Sequence, residues 1–274
     1  MINVFPSVQG IFSQKATIYP LNEIITHTSF SWNSIILEFD KLPRTDLYLA
    51  LISACAGFYF LIILLVLKNS NFPIWVTRKI VHAIGGTYIA FIISYFQYIL
   101  GIILAIVFFL TIFLIMIFSS QFRLLKEYFI LKDCRDNERD FTFLVNTSAT
   151  LISLFILLII FRDYAPVFTA GALIISWADT SGEVFGKKFP FGKYKIFNHK
   201  TISGTIAVFI FSLISFLVTI LRFNMIISLS SIWIIIFGCL ICSIVEAASW
   251  KWLDNIFLPV IGSLIMFWIV SINY

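Results

Sequence analysis

Asp179 and Glu183 stand four residues apart in a 274-residue chain that is 60% hydrophobic and only 12% charged. On one continuing helix the two carboxylates share a face. Like charges at that spacing repel unless a cation lies between them. Mg2+ suits such a place, because it takes a few carboxylates, keeps waters and accepts phosphate oxygens. Around and after the acids come Gly182, Gly186 and Gly192, five lysines (Lys187, Lys188, Lys193, Lys195 and Lys200), and the hydroxyls of Thr201, Ser203 and Thr205. Glycines let backbone amides approach a phosphate and lysines supply point charge. The implied chemistry is the handling of a metal-bound, phosphate-bearing ligand. The plainer reading is a positively charged loop with two solvated acids, and acids at the edge of an apolar run weigh against it.

Two further polar stretches interrupt the apolar chain. In "RKIVHAIGG", His82 follows Arg78 by four residues and Lys79 by three, so the three share one helix face. Two cations beside an imidazole suit a phosphate; snorkelling cations with a packed histidine are the alternative. In "VEAASWKWLDNIFLP", Glu246 closes one apolar run and Asp254 and Asn255 open the next. Helix capping accounts for the Asp-Asn pair but not for Glu246. The stretch "RLLKEYFILKDCRDNERD" has balanced charge and reads as a solvated connector. Cys55, Cys134, Cys239 and Cys242 lack the second closely spaced pair that a zinc site needs and are read as packing residues.

These residues need elements to hold them, and the composition says which kind. A soluble domain keeps roughly a quarter of its residues charged. With a mean hydropathy of +1.00, this chain reads as an all-α, polytopic membrane bundle of seven or eight transmembrane helices. A span needs about 20 mostly apolar residues. Such runs fall at 47–67, 80–97, 98–118, 141–161, 204–221, 225–246 and 256–272, with a shorter, tilted or re-entrant one at 164–178. Lys and Arg concentrate in cytoplasmic loops. Eight crossings with both ends outside put most of them inside and leave Lys15, Lys41, Arg44, Arg162 and Arg222 outside. The same topology, built without reference to acids, puts His82, Asp179, Glu183, Glu246 and Asp254 on the cytoplasmic side. Residues 1–45 form a separate extracytoplasmic or interfacial segment with no assigned chemistry, and 46–274 form the catalytic membrane domain. The net charge of +5 is thus explained by topology and not by nucleic acid.

The three stretches, "RKIVH…GG", "ADTSGEVFGKKF…HKTISGT" and "VEAASWKWLDNIFLP", resemble the ordered signatures of the CTP-dependent polyprenol kinases. That group includes phytol, farnesol, dolichol and diacylglycerol kinases and is related to the phosphatidate cytidylyltransferases. The resemblance covers roughly residues 78 to 262. Arg78, Lys79 and His82 match the first signature, Asp179 and Gly186 the second, and Lys200, Thr201, Gly204 and Thr205 the third. Glu246, Ala247, Asp254, Asn255 and Pro259 match the last, while Ser203 stands where the family has Glu.

The resemblance implies transfer of the terminal phosphate of CTP to a lipid alcohol at the bilayer, with Mg2+ held by Asp179 and by Glu183 or Asp254. The catalytic set would be His82, Asp179, Lys200, Glu246 and Asp254, with His82 or a carboxylate taking the hydroxyl proton. The nucleotide would meet Arg78, Lys79, Gly186, Lys187, Lys200, Thr201, Gly204, Thr205 and Asn255. Expected partners are CTP, the lipid alcohol and the bilayer, with a homodimer left open. The rival enzyme is a phosphatidate cytidylyltransferase, whose Gly-His-Gly-Gly segment is missing here. The rival of another class is a membrane transporter.

Overall fold

The computed structural model describes residues 43–68, 74–96, 99–118, 140–161, 164–196, 199–249 and 253–273. The segment before residue 43 and the connector 119–139 lie outside the described residues.

The first four long apolar runs become helices: α1 (Arg44–Lys68), α2 (Ile74–Ile92), α3 (Ile99–Phe118) and α4 (Asp140–Ile160). After them come α5 (Ala165–Leu173) and α6 (Asp179–Lys188), joined without a break by one wide, π-helical turn over Ile174–Ala178. A two-stranded antiparallel hairpin follows, β1 (Lys193–Lys195) with β2 (His199–Thr201). Then come α7 (Ile202–Arg222), α8 (Leu229–Ala248) and α9 (Asp254–Asn273). The protein is mostly helical, and α7, α8 and α9 are each long and apolar enough to cross a membrane.

Helix α7 is built inside out by the standards of a water-soluble helix. Ile206, Ile210, Ile214, Leu217 and Leu221 recur at helical spacing on its exposed face. Its buried face carries Gly204, Ala207, Ser212, Ser215 and Thr219 beside Val208, Phe216 and Ile220. The buried hydroxyls of Ser215 and Thr219 each donate to the carbonyl one turn back, at 2.8 Å. That keeps them satisfied without water. Small side chains inside and large apolar ones outside are the pattern of helices packed in hydrocarbon.

The short run at 164–178, expected as a tilted or re-entrant crossing, forms the centre of the bundle. Every residue from Val167 to Ser176 is buried, and the surrounding helices α2, α4, α7 and α9 pack on it. Close approach is possible because Gly171 faces the Pro259 carbonyl and Ser263 of α9, whose Ser263 hydroxyl donates to the Val167 carbonyl at 3.1 Å. The segment that follows, 179–203, begins with the continuing helix that the spacing of Asp179 and Glu183 calls for. Its first ten residues continue the helix as α6, and most of the rest is the hairpin.

One end of the bundle gathers the start of α2, α6, the hairpin, the end of α8 and the start of α9. At the other end, the Arg222 guanidinium lies 5.1 Å from the Tyr95 ring centre, and Asn273 Nδ2 donates to Ser231 Oγ at 2.8 Å.

Candidate active site

At the first of these ends, α2 and α6 cross. The i,i+4 spacing on α6 turns Asp179 and Glu183 to one face, and Lys79 of α2 reaches between them. Lys79 Nζ lies 2.6 Å from Asp179 Oδ2 and 3.0 Å from Glu183 Oε2. Lys187, one turn along α6, bridges the outer oxygen of Glu183 at 2.6 Å. A cation therefore does lie between the two acids, as the repulsion argument requires, but it is an ammonium group where Mg2+ was expected. Among the described residues no three His, Cys, Asp or Glu side chains gather as metal ligands. As arranged, the Asp179, Glu183 and Asp254 set does not fit a resident metal ion.

His82 sits one turn deeper on α2. Its Nε2 faces the Ile175 carbonyl at 3.1 Å; a carbonyl only accepts, so this nitrogen carries the proton. The same atom is 3.7 Å from Asp179 Oδ2. The wide turn before α6 supplies that carbonyl, and within it Trp177 Nε1 donates to Thr87 Oγ1 of α2 at 2.6 Å. Burial pushes the Asp179 carboxyl upward, yet Lys79 and His82 pull harder and leave it below the usual carboxylate range. It is ionised at neutral pH.

The second half of the cluster comes from β2, α8 and α9. In the antiparallel register Tyr194 opposes Lys200, so both point to the inner face of the hairpin. Lys200 meets the buried carboxylate of Glu246 in a short charged hydrogen bond, with Asp254 Oδ2 at 4.0 Å. Burial works against the Lys200 ammonium, but Glu246, then Asp254 and Asp179, lift its pKa above the ordinary lysine value. Asp254 accepts from its neighbouring Asn255 backbone amide at 2.9 Å, as a residue in the first turn of a helix can. The two halves adjoin at α6, where a Cβ on Gly182, the residue before Glu183, would lie 3.7 Å from Glu246 Oε1. Lys79, His82, Asp179, Glu183, Lys200, Glu246 and Asp254 are thus brought together from five elements.

Other residues named for the nucleotide have structural explanations. Thr201 is the N-cap of α7, accepting from the Gly204 amide at 3.1 Å. Thr205 pairs with the Tyr194 hydroxyl at 2.6 Å, and Ser203 donates to the Phe189 carbonyl at 2.5 Å. Gly186 and Gly204 serve the α6–α7 crossing. A Cβ on Gly204 would lie 2.8 Å from the Gly182 carbonyl oxygen, and one on Gly186 2.8 Å from Thr201 Oγ1. Lys187 is exposed and held to Glu183. Asn255 is half-buried at the start of α9. Arg78 belongs to α2, and its side chain lies outside the described residues. The sequence reading missed Ile175 and Trp177, whose roles come from the wide turn and have no signature in residue type.

Gly204→Ala should lower stability by about 1–3 kcal/mol, because the clash is with rigid backbone. A lower thermal midpoint in detergent, with helicity retained at low temperature, is the expected result; an unchanged midpoint would mean that α6 and α7 can separate freely.

The chain matches no known protein family, curated protein or solved structure.

Proposed function

We propose that the chain is an integral membrane phosphotransferase that moves the terminal phosphate of CTP to a polyprenol-type lipid alcohol. One observation carries the reading: three polar stretches far apart in sequence meet as two adjoining ion-pair groups, together two lysines, four carboxylates and a histidine. That cluster lies at the end of a bundle whose outer surface is apolar. A lipid alcohol keeps its tail in the bilayer, at about 0.8 kcal/mol per buried methylene. Its hydroxyl then reaches only groups near a helix end.

Phosphoryl transfer needs positioning and charge neutralisation more than covalent help. Among the described residues of the cluster, Lys79 and Lys200 are the cations for phosphate oxygens, and each is held by carboxylates that define where it can reach. Mg2+ enters as the counter-ion that the nucleotide brings with it; no protein ligand is assigned to it, since Lys79 lies between Asp179 and Glu183. Among the carboxylates, Asp254 has the most distant lysine, at 4.0 Å. It is therefore the best placed to accept the hydroxyl proton, and His82, with Nε2 protonated, holds Asp179 and the wide turn in position. In this reading the bundle crosses the membrane eight times, with residues before α1 outside and the cluster on the cytoplasmic face.

The test is incubation of purified protein with CTP labelled in the base, together with a panel of lipid alcohols and phosphatidate. Release of CDP with a phosphorylated alcohol is expected. Pyrophosphate release with a CDP-lipid would assign the site to cytidylyl transfer. If neither product forms with any lipid, the enzyme reading falls.

A further inference from the structure

Beyond the cluster, the hairpin end of the molecule carries a surface of a different kind. Strand alternation turns Tyr194 and Lys200 inward, so Lys193 and Lys195 point out and are exposed. Lys188 is exposed at the end of α6, its ammonium 5.6 Å from the Phe189 ring centre. Interleaved with these cations are bare apolar side chains: Phe189, Phe191, Ile196 and Ile202, with Phe191 72% exposed. The chain contains no Asp or Glu between Glu183 and Glu246. The nearest acids, on α6, face Lys79 and Lys187.

This surface is tied to the outer face of α7. The Ile202 amide donates to the Phe191 and Gly192 carbonyls at 3.1 Å. Gly192 takes a φ of +62°, and a Cβ there would lie 2.5 Å from Ile202 Cδ1, so only glycine lets the hairpin fold down onto Ile202. Ile202 then begins the exposed line Ile206, Ile210, Ile214. A continuous apolar strip therefore ends in exposed aromatics, with three exposed lysines interleaved among them in the chain.

We propose that the hairpin, with Lys188, Lys193, Lys195, Phe189 and Phe191, docks on the anionic headgroups of the bilayer in which α7 stands. Aromatic rings at the acyl boundary with lysines at headgroup level are the arrangement that anchors interfacial segments. Each lysine near an anionic surface adds attraction that a zwitterionic surface does not supply. The surface is separate from the phosphate-handling cluster, because Lys193 and Lys195 lie on the opposite face of the hairpin from Lys200 and Lys188 is exposed at the far end of α6 from Asp179.

Full-length protein in a neutral detergent is titrated with phosphatidylglycerol or phosphatidylcholine, and bound lipid is counted by native mass spectrometry. The parent should prefer phosphatidylglycerol by roughly tenfold or more, and Lys188→Gln/Lys193→Gln/Lys195→Gln should lose most of that preference. Arginine at the same three positions should keep it, which separates loss of charge from damage to the fold. An equal affinity of the parent for both lipids, an undiminished preference in the glutamine variant, or loss in the arginine variant overturns the proposal. So does stoichiometric displacement of phosphatidylglycerol by CTP, which would hand these lysines to the nucleotide. None of these outcomes depends on turnover, so failure here leaves the phosphotransferase reading standing.

Discussion

Asp179→Asn should reduce phosphate transfer by about a thousandfold or more while leaving the protein folded. The magnitude follows from removing a fixed charge from a partly dry site, where preorganised electrostatics dominates phosphoryl transfer. Folding survives because the amide oxygen still accepts from Lys79, and Glu183, 3.0 Å from the same ammonium, still neutralises it. The measurements are CDP release per mole of protein and the thermal midpoint in detergent. Parent-level turnover in this variant would remove the acid pair from the mechanism.

The largest effect on stability is expected at the other half of the cluster. Glu246→Ala leaves the Lys200 ammonium, whose side chain is only 19% exposed, with Asp254 at 4.0 Å as its remaining acid on α8 and α9. Stranding one member of a buried ion pair costs about 3–5 kcal/mol. Replacing both members, Lys200→Met with Glu246→Gln, should recover part of that loss, because the ammonium is no longer stranded, although Asp254 loses its lysine neighbour. Activity should not return, since Lys200 is assigned to phosphate. Lys200→Ala alone should act mainly on nucleotide affinity. A double variant as unstable as Glu246→Ala would mean that the pair contributes packing and not charge compensation.

What the sequence could disclose depended on how far apart the partners lie. The shared face of Asp179 and Glu183 follows from a spacing of four, and the ends of α1, α3, α4 and α9 fall within a few residues of the apolar runs, because chain-local hydropathy sets both. Lys79 is one hundred residues from Asp179. Nothing in either neighbourhood says that a lysine, and not a metal ion, will fill the gap between the acids. Glycine was ambiguous for a related reason. Gly186 and Gly204 fit a phosphate cradle and a tight helix crossing equally well by residue type, and only the approach of α6 to α7 decides for packing. The central position of α5 was hidden for the same reason: hydropathy marks 164–178 as a short apolar run but does not say which helices pack around it.

That wide turn also sets the azimuth of the acids. A π-helical turn accommodates one residue more than its α-helical neighbours, and each residue of an α-helix sweeps about 100° around the axis. Were Ile174–Ala178 wound as ordinary helix, the screw of α6 would be out of phase with α5 by one such increment, swinging Asp179 and Glu183 away from Lys79. Deleting a single residue from Ile174–Ala178 should therefore let the segment wind as ordinary helix with Asp179 and Glu183 still turned to Lys79, whereas straightening it at its present length would turn them away.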